Sequence, residues 1–180
     1  CAASDFYIDP WRGVPRAIVT HAHSDHARRG SDSYLAPTDG VGVLRHRLGS
    51  DIKVTGLQYG DAIDINGVNV SLYPAGHILG ACMVRVEHRG EVWLFSGDYK
   101  SQSDPTCKLI EPVRCDVFIS ECTFGLPIYR WQPSERVFAD IHRWWRNNVA
   151  DERCSIIFAY SLGKAQRILA QLDQSIGPIG

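Results

Sequence analysis

His21-Ala22-His23-Ser24-Asp25-His26 places three imidazoles and a carboxylate in six consecutive residues. All four side chains belong to the donor set of a borderline cation such as zinc. Upstream, Arg16-Ala17-Ile18-Val19-Thr20 reads as a short buried strand ending at the first histidine. Downstream, Ala27-Arg28-Arg29-Gly30 reads as the first turn of a helix stopped early by glycine. A loop between a strand end and a helix start is where an α/β fold puts a site. In an extended run, residues two apart point the same way, so His21 and His23 can share one ion. Asp25 is offset, and His26 follows where the chain turns, so this pair suits a second, adjacent ion. The bland alternative is a polar surface loop rich in histidine. Three of the chain's seven histidines fall in this stretch, directly after a buried strand, and that concentration favours the metal.

The 180 residues suffice for one sizeable core and the start of a second domain. A hydrophobic fraction of 44% suits a packed globule and not a disordered chain. The net charge of −1 gives no global basic field. Nucleic acid is still compatible, because bound cations supply positive charge locally. No apolar run approaches the roughly 18 residues that span a bilayer, so no membrane is expected. No signal peptide opens the chain. The six cysteines include no C-x-x-C pair, which argues against a disulfide framework and a cysteine-based zinc module. Reduced thiols in a cytoplasmic protein are the expectation. The chain begins at Cys1 and stops in Gly-Pro-Ile-Gly, which reads as a fragment.

Taken in order, Asp5-Phe6-Tyr7-Ile8-Asp9 reads as a strand ended by Pro10. Asp9 is either a turn-capping aspartate or a carboxylate that orients the metal loop from behind. Tyr34-Leu35-Ala36 is a short strand, and Thr38 caps a helix carrying Val41, Val43, Leu44 and Leu48, with Gly49 past its end. His46 lies on the solvated face of that helix. Asn66-Gly67 is a hairpin signal between 62–65 and 68–73. His88-Arg89-Gly90 turns a second hairpin joining 83–86 to 92–95, which makes His88 a turn residue. Two glycine-bearing loops break this antiparallel pattern at strand ends, Pro74-Ala75-Gly76-His77-Ile78-Leu79-Gly80 and Phe95-Ser96-Gly97-Asp98-Tyr99. A lone histidine or aspartate there is ordinarily structural. The upstream metal loop needs further ligands, which raises His77 and Asp98 above that base rate. Val117-Phe118-Ile119 reads as a buried strand ending at Ser120-Glu121. Pro133-Ser134 starts a helix with Val137, Ile141 and Trp144 or Trp145 at helical spacing. Ile156-Ile157-Phe158-Ala159-Tyr160 reads as a strand, followed by a helix carrying Ile168, Leu169 and Leu172. The change of pattern near residue 125 predicts a domain boundary, with domains over 1–125 and 126–180.

Asp9, Thr20 to His26, His77 and Asp98, in that order and after strands, resemble the motifs of the metallo-β-lactamase superfamily. Ala75 to Gly80, Ser96-Gly97-Asp98-Tyr99, Ser120-Glu121-Cys122-Thr123-Phe124-Gly125 and Ala159 to Gln166 resemble its nucleic-acid-cleaving β-CASP branch. Asp104-Pro105-Thr106-Cys107 and Phe124 to Trp131 resemble the bacterial ligase-associated DNA exonucleases. The resemblance covers nearly the whole chain. It implies an α/β (α+β) fold, an αββα sandwich carrying the beginning of an inserted β-CASP α/β domain. It also implies two divalent cations, zinc or else manganese. His21, His23 and His77 would hold one, Asp25 and His26 the other, with Asp98 bridging. The catalytic set implied is Asp25, Asp98, Glu121 and Asp9, with Glu121 helping to protonate the leaving oxygen.

The activity implied is phosphodiester hydrolysis by an activated hydroxide, foremost as a DNA exonuclease in repair. The implied partners are DNA, an ATP-dependent DNA ligase and a helicase. An RNA-processing β-CASP nuclease and a small-molecule thioesterase or lactamase are the alternatives. A metal-stabilised DNA-binding scaffold is a third, disfavoured because structural zinc sites are mononuclear and closed. Arg28, Arg29, Lys100 and Lys164 are candidates for a phosphate track. After Asp98 the only histidine is His142, on a helix among arginines, so the second ion is expected to be under-ligated in this chain.

Overall fold

The computed structural model describes residues 4–180. They divide into two compact units, one running to Glu121 and one over Cys122–Gly180. The first unit holds two sheets. Strands β1 (Tyr7–Ile8), β2 (Arg16–Ile18), β3 (Ser33–Pro37) and β4 (Val54–Leu57) form one sheet in that order. Strands β5 (Ala62–Ile65), β6 (Val68–Pro74), β7 (Cys82–His88), β8 (Glu91–Phe95) and β9 (Val117–Ile119) form the other. Phe6, Ile18, Leu35 and Leu57 from the side of the first sheet pack with Val68, Val70, Leu72, Cys82 and Val84 of the second in one core. Helix α1 (Thr38–Leu48) turns Leu44 and Leu48 inward and lies against β3 and β4. The result is a mixed α/β sandwich of two sheets.

The hairpins form where local chemistry demands them. Asn66 and Gly67 both take positive φ between paired Ile65 and Val68, the geometry of a two-residue hairpin turn. Arg89 and Gly90 do the same between His88 and Glu91. β6 is buried along both faces except at Asn69 and Tyr73, as expected for an interior strand of a covered sheet.

Several expectations are corrected. The antiparallel pattern of the hairpins does not extend to the four strands around the metal loop, which are all parallel. No helix forms over residues 27–30; the turn comes earlier, with the Ala27 amide donating to the His23 carbonyl at 2.8 Å. β9 pairs parallel with β8 at the sheet edge, which leaves Phe118 and Ile119 exposed, not buried.

In the second unit, α2 (Ser134–Ala150) buries Phe138 and Trp145, and α3 (Lys164–Gln171) follows. Ile156 to Tyr160 forms no strand, and Phe158 is 93% exposed. Strand propensity there meets no neighbouring strand, among the described residues, with which to form a ladder.

Candidate metal centre

Three loops at strand ends meet at one edge of the first unit. The metal loop leaves β2, and its Thr20 carbonyl accepts from the Cys82 amide at 2.8 Å, tying it to β7. The His77 loop closes between β6 and β7 through the Ala75 amide on the Ala81 carbonyl, at 3.2 Å. The Asp98 loop leaves β8 and reaches back to the His77 loop, where the Lys100 amide donates to the Ala75 carbonyl at 2.9 Å. Gly97 takes φ +55, and a Cβ there would lie 2.7 Å from the Cβ of Thr20. Only glycine allows the Asp98 loop to approach the metal loop this closely.

His21, His23, His77 and Asp98 converge, with one donor atom from each lying within 4.8 Å of the others. His21 Nε2 is 3.0 Å from His23 Nδ1, and His77 Nε2 is 3.2 Å from the same atom. Asp98 Oδ2 stands 3.8 Å from His21 Nε2 and 3.5 Å from His77 Nε2. Bonds of about 2.0–2.1 Å at tetrahedral angles place zinc ligands roughly 3.3 Å apart. These four spacings bracket that value, and with all four donors inside 4.8 Å the set can close on a zinc-sized cation by small side-chain movements.

The other oxygen of Asp98 faces a different pair. Asp98 Oδ1 is 3.3 Å from His26 Nε2, and His26 Nε2 is 3.6 Å from Asp25 Oδ2. Asp25 is exposed, so this second lobe is more open than the first. Asp98 therefore stands between two groups of donors, one oxygen toward each.

Asp9 lies behind the metal loop. Its carboxylate accepts from the Thr20 amide at 2.8 Å, from the Thr20 hydroxyl at 2.6 Å, and pairs with His26 Nδ1 at 2.7 Å. That bond leaves His26 Nε2 as the atom facing Asp98 and Asp25. Thr20, read from the sequence as the end of a strand and the first residue of the metal-loop motif, is thus a structural link between Asp9 and that loop. Glu121 lines a cavity together with Asp9, Thr20, His26 and Asp98, and its carboxylate accepts from the Tyr99 amide at 3.4 Å.

Charge follows burial and pairing. Burial, helped by the neighbouring imidazoles of His26 and His77, pushes His21 down to about 2, so it stays neutral. Burial likewise lowers His77. Burial also opposes charge on His26, but its bonds to Asp9 and Asp98 outweigh it and hold the imidazole up at about 10. The His26 bond, with further pull from His21 and His77, holds Asp98 down at about 2.

The remaining candidates lie elsewhere. His88 Nδ1 faces the Gly67 carbonyl at 3.1 Å, at the hairpin end. His142 Nε2 accepts from the Asp173 amide at 3.1 Å inside the second unit. Of the residues suggested for a phosphate track, Arg29 pairs with Asp51 and Lys100 with Asp104 at 3.0 Å.

No protein-family model matches the chain. A probable DNA ligase of Opitutus terrae is 32% identical over 177 residues, 97% of this chain and 17% of that protein. Endoribonuclease ysh1 of Schizosaccharomyces pombe is 34% identical over 126 residues, 68% of this chain and 16% of that protein. Cleavage and polyadenylation specificity factor subunit 3 of Dictyostelium discoideum is 32% identical over the same length, again 68% and 16%. The chain thus spans about a sixth of the length of these curated relatives.

Proposed function

Because this chain belongs to the β-CASP branch of the metallo-β-lactamase superfamily, we propose that it is the metal-bearing part of a nuclease that hydrolyses phosphodiesters, foremost a DNA exonuclease. The observation that carries this reading is the carboxylate of Asp98 standing between two donor groups. His21, His23 and His77 would hold one divalent cation, Asp25 and His26 the second, and Asp98 both. Such a pair supplies an activated water and charge neutralisation for a phosphodiester.

The protein's own part is positional. Neutral His21 and His77 offer lone pairs without first losing a proton. Asp9 fixes the His26 ring through Nδ1, so that Nε2 points at the second lobe. Glu121, across the cavity, is the group we assign to proton transfer at the leaving oxygen. The second unit would be the start of the β-CASP domain. The relative named as a probable DNA ligase favours DNA and a ligase as working neighbour, with a helicase proposed beside them. The relatives named as an endoribonuclease and as a cleavage and polyadenylation specificity factor subunit favour the second reading, an RNA-processing nuclease. Among the described residues, no helix is long and apolar enough to cross a membrane.

End-labelled single- and double-stranded DNA and RNA, incubated side by side with zinc- or manganese-loaded protein, test the proposal. Shortening of DNA from one end is expected. Preferential cutting of RNA would select the second reading. Turnover of a thioester or lactam with no cutting of any strand would reject both.

Removing Asp9 tests its orienting role. Asp9→Ala leaves every proposed ligand in place but frees the His26 ring. Cation affinity should fall roughly 10- to 100-fold, as loss of the outer partners of metal ligands commonly costs. Competition against a chromogenic chelator measures it, and unchanged affinity would show that Asp9 serves only the turn.

A further inference from the structure

Two aromatic side chains on the wall of the cavity beside the His26 lobe of the metal centre take no part in the chemistry above. The cavity is about 540 Å³, and Tyr7 and Trp11 line it together with His26, Asp98 and Glu121. Trp11 is 75% exposed and Tyr7 47%. A single exposed aromatic is ordinary on any protein surface. Trp11 differs in how it is held. It follows Pro10 and Asp9, and Asp9 is pinned through both its carboxylate and its amide, which donates to the Ile18 carbonyl at 2.9 Å. The Arg28 guanidinium lies 4.2 Å from the Trp11 ring centroid. A cation over one face fixes the ring and leaves the opposite face for another partner. A large, flat, pre-positioned π surface beside a phosphodiester-cutting centre has the shape and chemistry of a nucleobase support.

We propose that Trp11, braced by Arg28 and flanked by Tyr7, is a stacking platform for an unpaired nucleobase of the strand that enters the metal cavity. The inference rests on the nuclease reading and adds to it the substrate class, a strand whose end is single-stranded. A paired base inside a duplex has both faces covered by its neighbours, whereas an unpaired base is free to turn a face to the ring. Stacking tolerates every base, so the platform would select for strandedness and not for sequence.

The test measures binding, not turnover. A fluorophore-labelled single strand with phosphorothioate terminal linkages is titrated with the metal-loaded chain. A second strand lacks its terminal base. Trp11→Ala should weaken binding of the intact strand roughly 5- to 150-fold, the range expected for one stacked base. Trp11→Phe should retain most of the affinity. The abasic strand should bind the unaltered chain and Trp11→Ala equally. A melting curve matching the unaltered chain checks that Trp11→Ala is folded, as substitution of a largely exposed residue should allow. Equal affinity of the two chains for the intact strand would overturn the platform. So would an equal loss for intact and abasic strands, or no binding of any strand by the unaltered chain. The nuclease reading fails separately, on absence of cutting of natural strands, while the binding comparison still gives its own answer.

Discussion

Asp98→Asn is expected to abolish hydrolysis while leaving the sandwich intact. Asparagine matches the shape of aspartate but carries no charge, and it presents an amide nitrogen where Asp98 now presents an oxygen. With Oδ2 3.5 Å from His77 and Oδ1 3.3 Å from His26, both oxygens are committed, so either orientation of the amide leaves one lobe facing a donor. The loss should be on the order of 10²-fold or more, since changes one shell further out cost 10- to 100-fold. Single-turnover cleavage of an end-labelled strand measures it, and circular dichroism checks the fold. Near-normal turnover would remove Asp98 from the bridging role. A pH signature accompanies this. Asp98 is held at about 2, below the ordinary aspartate value. In the metal-free protein its stabilising contribution is therefore complete above the ordinary value and disappears as pH falls through about 2. Melting the metal-free protein and Asp98→Asn across acid pH should show their curves converging at the low end.

Stripping the metal should be at least as damaging. Free water has a pKa of about 15.7 and zinc-bound water about 7, so turnover should fall on the order of 10³-fold or more after dialysis against a chelator. Adding zinc or manganese back should restore it. Full turnover in verifiably metal-free protein would sink the metal reading. Reloading has a second readout. In the empty site His26 keeps its proton up to about pH 10. A cation that takes Nε2 must displace a proton, because Nδ1 remains bound to Asp9. Ion uptake at neutral pH should therefore acidify a weakly buffered solution, and affinity should rise with pH. Uptake without proton release would place His26 outside the ligand set. Elemental analysis of the loaded protein should find one ion held firmly by the first lobe. A second should be lost more easily from the open lobe of His26 and Asp25.

The convergence of His21, His23, His77 and Asp98 was legible in the sequence because three histidines crowd one strand end and that loop needed further partners from others. The arrangement around Asp98 was not, since which oxygen faces which histidine depends on how three loops converge. The Asn66-Gly67 hairpin and the span of helix α1 were legible from strictly local rules, although Thr38 is the first residue of the helix and not its cap, a position Pro37 takes without a side-chain hydrogen bond. The direction of strands β1 to β4 was not. Strands of two to five residues carry no pattern that separates parallel from antiparallel pairing. Burial of β9 was misjudged for a related reason, because an apolar run does not reveal that it lies at a sheet edge. Trp11 belongs to no periodic segment, so its place on the cavity wall emerged only in three dimensions.

The strandless run from Ile156 to Tyr160 bears on how the protein behaves in a test tube. It combines β-branched and aromatic residues with no charge, and its side chains lie largely open to solvent. Such a segment is a template on which a second molecule can add main-chain hydrogen bonds. Self-association through this run would grow with protein concentration and with salt, independently of the metal. Specific activity measured on dilute protein is therefore the meaningful value, and a charged residue in place of Phe158 is the natural remedy for precipitation.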